Sequence, residues 1–235
     1  MRWLQAFRYD VKMQWRQGFY LIYAIVSAIY VLLLRQLPGE SRETAALLLT
    51  FSDPSVLGFY FIGGLVLLEK ALDLFGPLFV TPYTPRQYIW AKTLSLTLLS
   101  VTAALVIHLG VFGWGEGLAD FCAGAALTSV FFTMMGMGFA IYCRSMNGFF
   151  FLGTLGTILF ISPILEAAGV GTAPFFAFLP AKAGLVLLAA PSDPPGWGER
   201  LAAVVMLVLW ILLAELWVRH AFRRRMLAVG GGRMT

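Results

Sequence analysis

Charge is what this sequence has least of. Only 12% of its 235 residues are Asp, Glu, Lys or Arg, while 60% are hydrophobic. A soluble domain carries ~25% charged residues. A water-soluble fold of this length could not cover its apolar surface with so few charges, so lipid is the solvent that suits it. Cysteine is nearly absent. Cys122 and Cys143 lie far apart, in or beside apolar runs, which excludes a disulfide framework and a thiolate metal site. Two histidines, His108 and His220, have no second ligand at metal spacing. The five Asp are scattered, unlike those of a lipid-headgroup transferase, and no Gly-x-Ser-x-Gly element marks a serine hydrolase. Gly is never followed by Lys, so a phosphate-binding loop of the form G-x-x-x-x-G-K-[ST] is missing. These absences leave no catalytic, cofactor-binding or metal residue to assign. Any ATP hydrolysis has to come from another chain, and no nucleic-acid partner is expected. The longest polar stretches, Gln36–Arg42 and Ser192–Arg200, are too short for a soluble domain. No small-residue cleavage pattern follows the first apolar run, so no removable signal peptide is expected.

What is present is a series of long apolar runs. A spanning helix needs ~20 mostly apolar residues. Six runs meet that pattern: Gly18–Leu34, Val56–Leu74, Lys92–Trp114, Leu118–Cys143, Gly148–Leu165 and Arg200–Val218. Asp53-Pro54 reads as the N-cap and first residue of the second run. The expectation is an all-α integral membrane protein. Its single transmembrane domain comprises an interfacial helix over 1–17, six spans over 18–218 and a basic tail over 219–235.

Orientation follows from Lys and Arg. Cytoplasmic loops carry the excess of these residues. With the N-terminus inside, thirteen of the 17 Lys and Arg fall on the cytoplasmic side: the N-terminal segment, Lys70, Arg86, Lys92, Arg144 and the tail. Arg35, Arg42, Lys182 and Arg200 fall outside. Both termini are therefore expected in the cytoplasm. The apolar stretch Ala173–Ala190 competes as a seventh span, but it would put one basic terminus outside. It would also bring Lys182 into mid-bilayer at a cost of ~2.5–3.5 kcal/mol. It is read as a re-entrant or interfacial hairpin on the outer side, before span six.

The N-terminal segment carries its own pattern. On a helical wheel Trp3, Leu4, Phe7, Val11 and Trp15 share one arc, while Arg2, Arg8, Lys12 and Arg16 lie opposite. Such a helix rests in the interface, aromatic face toward lipid and basic face toward anionic headgroups.

The most informative segment joins spans two and three. Glu69, Lys70 and Asp73 end an apolar run, Gly76-Pro77 breaks the helix, and Val80-Thr81-Pro82 follows. Thr84 is then the expected N-cap, Pro85 the first helical residue, and Gln87 the third-position partner of a capping box. A short capped helix at the cytoplasmic surface, exposing Tyr83, Arg86 and Gln87, is either a docking knob or a snug connector.

The pattern Glu69-Lys70, Val80-Thr81-Pro82, Thr84-Pro85-Arg86, Tyr88 and Lys92 resembles the coupling-helix region of type-2 ABC exporter permeases, most of all the small bacterial fluoroquinolone-export permeases. The whole layout resembles theirs too: interfacial helix, six spans, outer hairpin, basic tail. The sequence departs at Ala71-Leu72-Asp73, where relatives often carry a charged residue and Gly-Thr. The resemblance implies a non-catalytic subunit of the bacterial cytoplasmic membrane. Such a subunit pairs with a second permease and is driven by a separate P-loop ATPase that binds the ATP. It implies a path for a hydrophobic small molecule, drug or lipid. Tyr83, Thr84, Pro85, Arg86 and Tyr88 would enter the ATPase groove, with Glu69, Lys70 and Lys92 beside the contact. The alternatives are a stand-alone membrane enzyme or assembly factor, and a haem-exporter-type permease.

Other residues have modest expectations. His108 is read as a structural histidine, and Glu215 as the i,i+4 partner of Arg219. Glu166 is placed at the interface. Gly124, Gly136, Gly138, Gly153 and Gly156 mark close helix packing, within the protomer or along a dimer seam. Phe131, Phe132, Met134, Met135, Met137, Phe139 and Phe149–Phe151 face lipid or line a path.

Overall fold

A computed structural model describes residues 2–75 and 83–227. All regular structure among them is helical. Helix α1 (Arg2–Arg16) meets α2 (Phe19–Arg35) at a 63° bend. The bend is made at Gly18, whose φ of 79° lies in the left-handed region that glycine adopts without penalty. Helix α3 (Gly39–Ser52) passes through a π turn (Asp53–Leu57) into α4 (Gly58–Ala71). Then come α5 (Pro85–Val111), α6 (Leu118–Tyr142), α7 (Met146–Ile161) and the single turn α8 (Ile164–Ala167). A 3-10 turn (Pro174–Phe178), α9 (Pro180–Leu188) and α10 (Trp197–Phe222) complete the chain, with a last π turn over Arg223–Leu227.

Helix α6 is the centre. From Asp120 to Tyr142 none of its residues is exposed. Its glycines explain how neighbours come so close. A Cβ at Gly136 would lie 2.2 Å from the Phe59 carbonyl oxygen of α4. One at Gly138 would strike the Trp217 ring of α10, and one at Gly124 would meet Leu187 of α9 at 2.7 Å. Gly153 and Gly156 of α7 receive the rings of Phe59 and Phe139. These small residues are thus used for packing within the protomer. The outer faces of α2, α7 and α10 are apolar and uncovered: Ile25 and Ile29, Phe151 and Ile158, Leu209 and Leu213 are all exposed. An apolar belt of this size belongs in contact with lipid or protein, not water.

Among the described residues, three helices are long and apolar enough to cross a membrane by themselves: Pro85–Val111, Leu118–Tyr142 and Trp197–Arg225. The bent pair α1–α2 makes a fourth, and α7 is apolar but shorter. The expected six-fold count is therefore not reached by length and composition alone.

Several expectations need correction. Asp53 is no N-cap: its φ and ψ of −60° and −57° are helical, it is 2% exposed, and the helical path continues through it from α3 to α4. The path runs on because the π turn absorbs Pro54, which lacks an N–H and would clash with the carbonyl four residues back. Gly58 donates to Asp53 O instead, across five residues. Helix α4 ends before Gly76-Pro77. Leu74 N donates to Glu69 O and Asp73 N to Lys70 O, the Schellman pattern, with Asp73 left-handed at φ 51°. The departure Ala71-Leu72-Asp73 therefore falls on a helix terminus, at a position where Gly is the easiest residue. Phe131, Phe132, Met134 and Met137 are neither lipid-facing nor path-lining but lie in the core, at most 1% exposed. Phe149 joins them, and only Phe150 and Phe151 face outward. The stretch 173–190 contains the 3-10 turn and the nine-residue α9, and α9 is too short to span at ~1.5 Å per residue.

Candidate functional site

At Thr84 the helix begins as the residue types require. The Thr84 hydroxyl accepts from Gln87 N at 3.3 Å, and Thr84 N donates to Gln87 Oε1 at 3.0 Å, with Pro85 at the first position. The capped helix is not a separate short element, however. It is the opening of α5 itself, which runs unbroken to Val111. Val80-Thr81-Pro82 and Gly76-Pro77 lie outside the described residues, as do the Trp3 side chain and residues 228–235 of the tail.

The first turns of α5 are tied to three other helices. Tyr88 is 2% exposed and donates its hydroxyl to Glu69 of α4. Lys92 Nζ lies 2.8 Å from Glu69 and 3.6 Å from Asp10 of α1, with the Tyr88 ring beneath it. One turn on, Gln14 Nε2 of α1 donates to Ser95 Oγ at 3.0 Å. Glu215 of α10 accepts from Arg86 Nε at 3.1 Å and from Trp90 Nε1 at 3.0 Å, and has Arg219 3.8 Å away. The Arg219 pair was expected; the two bonds from α5 were not. Lys70 turns away from this cluster. Its Nζ donates to Ile141 O at 3.0 Å and Cys143 O at 2.9 Å, so it caps the end of α6. Phe75, Tyr88 and Phe222 form an aromatic floor, with centroids 5.5–5.7 Å apart.

The residues named from sequence thus part into two groups. Thr84 and Arg86 are exposed, and Tyr83 and Pro85 half-buried, so these four present a surface. Tyr88, Glu69 and Lys92 lie behind it as supports. Asp10, Gln14 and Trp90 were missed. One signal existed: Asp10 is the sole acid in an otherwise basic helix. That helix does not offer lipid a uniform aromatic face. Phe7 and Val11 are half-buried on the same side as Asp10 and Gln14, while Trp15 is 70% exposed.

At the opposite end the contacts involve other residues. Arg35 donates to Gly110 O at 2.9 Å, Arg200 pairs with Asp120 at 2.8 Å, and Lys182 pairs with Glu166 at 2.9 Å. Trp210, midway along α10, donates to Phe178 O at 3.0 Å, so the 3-10 turn sits level with the middle of that helix.

Among the described residues this geometry is a set of helices bound together under a small exposed knob. What kind of protein carries it follows from comparison with known proteins. Residues 1–229 match the fluoroquinolones export permease protein family. The chain belongs to that family. It is a membrane permease subunit of an ABC exporter, and its long apolar helices suit a multi-pass membrane protein. Among its relatives are the fluoroquinolones export permease proteins of two Mycobacterium tuberculosis strains. Each is 26% identical over 193 residues, covering 82% of this chain and 81% of the relative.

Proposed function

We propose that this permease crosses the bacterial cytoplasmic membrane six times and that a separate P-loop ATPase docks at Tyr83, Thr84, Pro85 and Arg86. The six passes are α2, α3–α4, α5, α6, α7 and α10, with both termini in the cytoplasm. The reading is supported by one observation: the cations assigned to the cytoplasm by the charge rule that make side-chain contacts make them at one end of the helices, Arg86 and Arg219 on the same Glu215. Lys92, Lys70, Arg86, Arg219 and Arg225 all make contacts there, while Arg35, Lys182 and Arg200 make theirs at the other. Helix α7 is short for a span, at ~24 Å by its rise. The 3-10 turn and α9 fill the outer half beyond it as a re-entrant hairpin.

The permease itself performs no chemistry. ATP closes the partner ATPases, the knob moves with them, and the ion pairs behind it carry the motion to α1, α4 and α10. A second permease, identical or related, completes the path. The cargo is a small drug-like molecule; the relatives' descriptions name fluoroquinolones. The direct test is co-purification: the permease, expressed with its genomic neighbours and solubilised mildly, should retain an ATPase. Arg86→Gln should weaken that association at least ten-fold and leave the thermal midpoint within a few degrees. Purification without any ATPase would sink the docking reading.

A further inference from the structure

Beside α9, on the end assigned to the outside, α3, α8, α9 and α10 enclose a cleft of about 700 Å³. Its volume falls within the ~300–1,000 Å³ of small-molecule sites, and like them it combines apolar walls with a few polar groups. Ala203 and Met206 of α10 contribute to the apolar wall. The polar groups are unevenly signed. Glu166 and Lys182 pair at 2.9 Å and cancel. Asp193 and Glu199 line the same cleft, both exposed, with no cation among the other lining residues. Arg200, next along α10, is taken up by Asp120 and the Trp197 ring. Glu199 accepts the Gly196 N–H at 3.2 Å. The cleft therefore carries an excess of two negative charges over apolar walls.

We propose that this cleft is a cargo site for amphipathic cations, in which an ammonium or other organic cation faces Asp193 and Glu199 and its apolar body lies along α9 and α10. The charge excess argues for a cation over an anion, since an organic anion would meet two uncompensated carboxylates at short range. The ion pair below adds a control. Here Lys182 limits the negative charge that cargo meets, so the site holds a cation without trapping it. The proposal rests on the exporter reading for its name, but the cleft is complete within one chain and needs neither ATP nor the ATPase.

The test uses the purified full chain in phosphatidylcholine nanodiscs, with radiolabelled tetraphenylphosphonium as probe. Its near-isosteric anion, tetraphenylborate, is the competitor. Saturable binding is expected, and tetraphenylborate should not displace it. Asp193→Asn with Glu199→Gln should weaken binding at least ten-fold. Gln retains an acceptor for the Gly196 N–H, so helix α10 keeps its cap. Lys182→Gln, which frees Glu166, should tighten binding several-fold. Ala202→Phe, at an exposed position on the wall, should block the cleft without touching a charge. Unchanged affinity in the double variant would overturn the proposal. So would equal displacement by the anion, which would indicate partitioning alone. Loss of binding when phosphatidylethanolamine is added would also overturn it, making a lipid amine the occupant. Any of these failures leaves ATPase co-purification, and with it the exporter reading, untouched.

Discussion

The Arg86 guanidinium lies 3.1 Å from the Glu215 carboxylate, 129 residues away in sequence, and the same oxygen accepts from Trp90. The start of α5 is thereby fastened to the end of α10. Arg86 is 63% exposed on its side chain and Glu215 only 8%, so the two partners contribute unequally. Glu215→Gln keeps an acceptor for Trp90 and loses only a solvent-screened attraction. It should cost less than about 1 kcal/mol. Glu215→Leu leaves the Trp90 N–H without its acceptor and should cost about 1–3 kcal/mol. Thermal unfolding of the two variants in one detergent separates them.

Lys70 supplies a second fastening. Its two bonds to the last carbonyls of α6 place a cation where the helix dipole favours one. Lys70→Met keeps the apolar stem and removes both bonds. A loss of about 1–2 kcal/mol is expected, with greater protease sensitivity around Cys143–Ser145. An unchanged melt would mean that water replaces the ammonium at no cost.

Adjacent glycines on α4 should respond with opposite signs. A Cβ at Gly63 would lie 2.0 Å from the Phe149 ring, itself fully buried and stacked on Phe59. Gly63→Ala should destabilise by about 1–3 kcal/mol. At Gly64 the nearest atom is Met146 Cε at 3.7 Å, an ordinary contact. Gly64→Ala should therefore be neutral or stabilise by up to about 1 kcal/mol through helix propensity. Equal effects at both positions would show that α4 and α7 are not packed as described.

Asp10 gives a pH signature. Burial holds its carboxyl above the usual carboxylate range; Lys92 pulls against this and Glu69 adds to it. A carboxyl whose pKa is raised on folding binds its proton more tightly in the folded state. Its contribution is fully present below the ordinary carboxylate value and fades as the pH rises through the raised one. Asp10→Asn is uncharged throughout and lacks this dependence. The melting temperature of the wild type relative to Asp10→Asn should be higher near pH 4 than at pH 7. A constant difference would place Asp10 in water.

Much of this was legible in the residues. The capping box at Thr84 and Gln87 is local chemistry, fixed by residues three apart, and it formed as read. Helical content followed from apolar runs. Charge counting sorts the basic residues into two sets, and those with side-chain contacts meet their partners at two different ends of the helices. What could not be read depended on depth. Asp53-Pro54 carries the letters of a helix start, but packing extends the helix through it, and a π turn makes that possible. Tyr88 reads as part of the docking surface because nothing local reveals that Glu69 waits behind it. The Phe and Met residues of α6 gave a moment-free, uniformly apolar pattern, which fits a lipid-facing helix and a fully enclosed one equally. Only the neighbours decide between them.

The enclosure of α6 limits how two copies could work together. A helix wrapped on every side by its own chain has no wall to lend to a conduit and no contact to offer a twin. If two permeases share a passage, its lining comes from uncovered faces such as those of α2, α7 and α10, and α6 is the mast around which they stand.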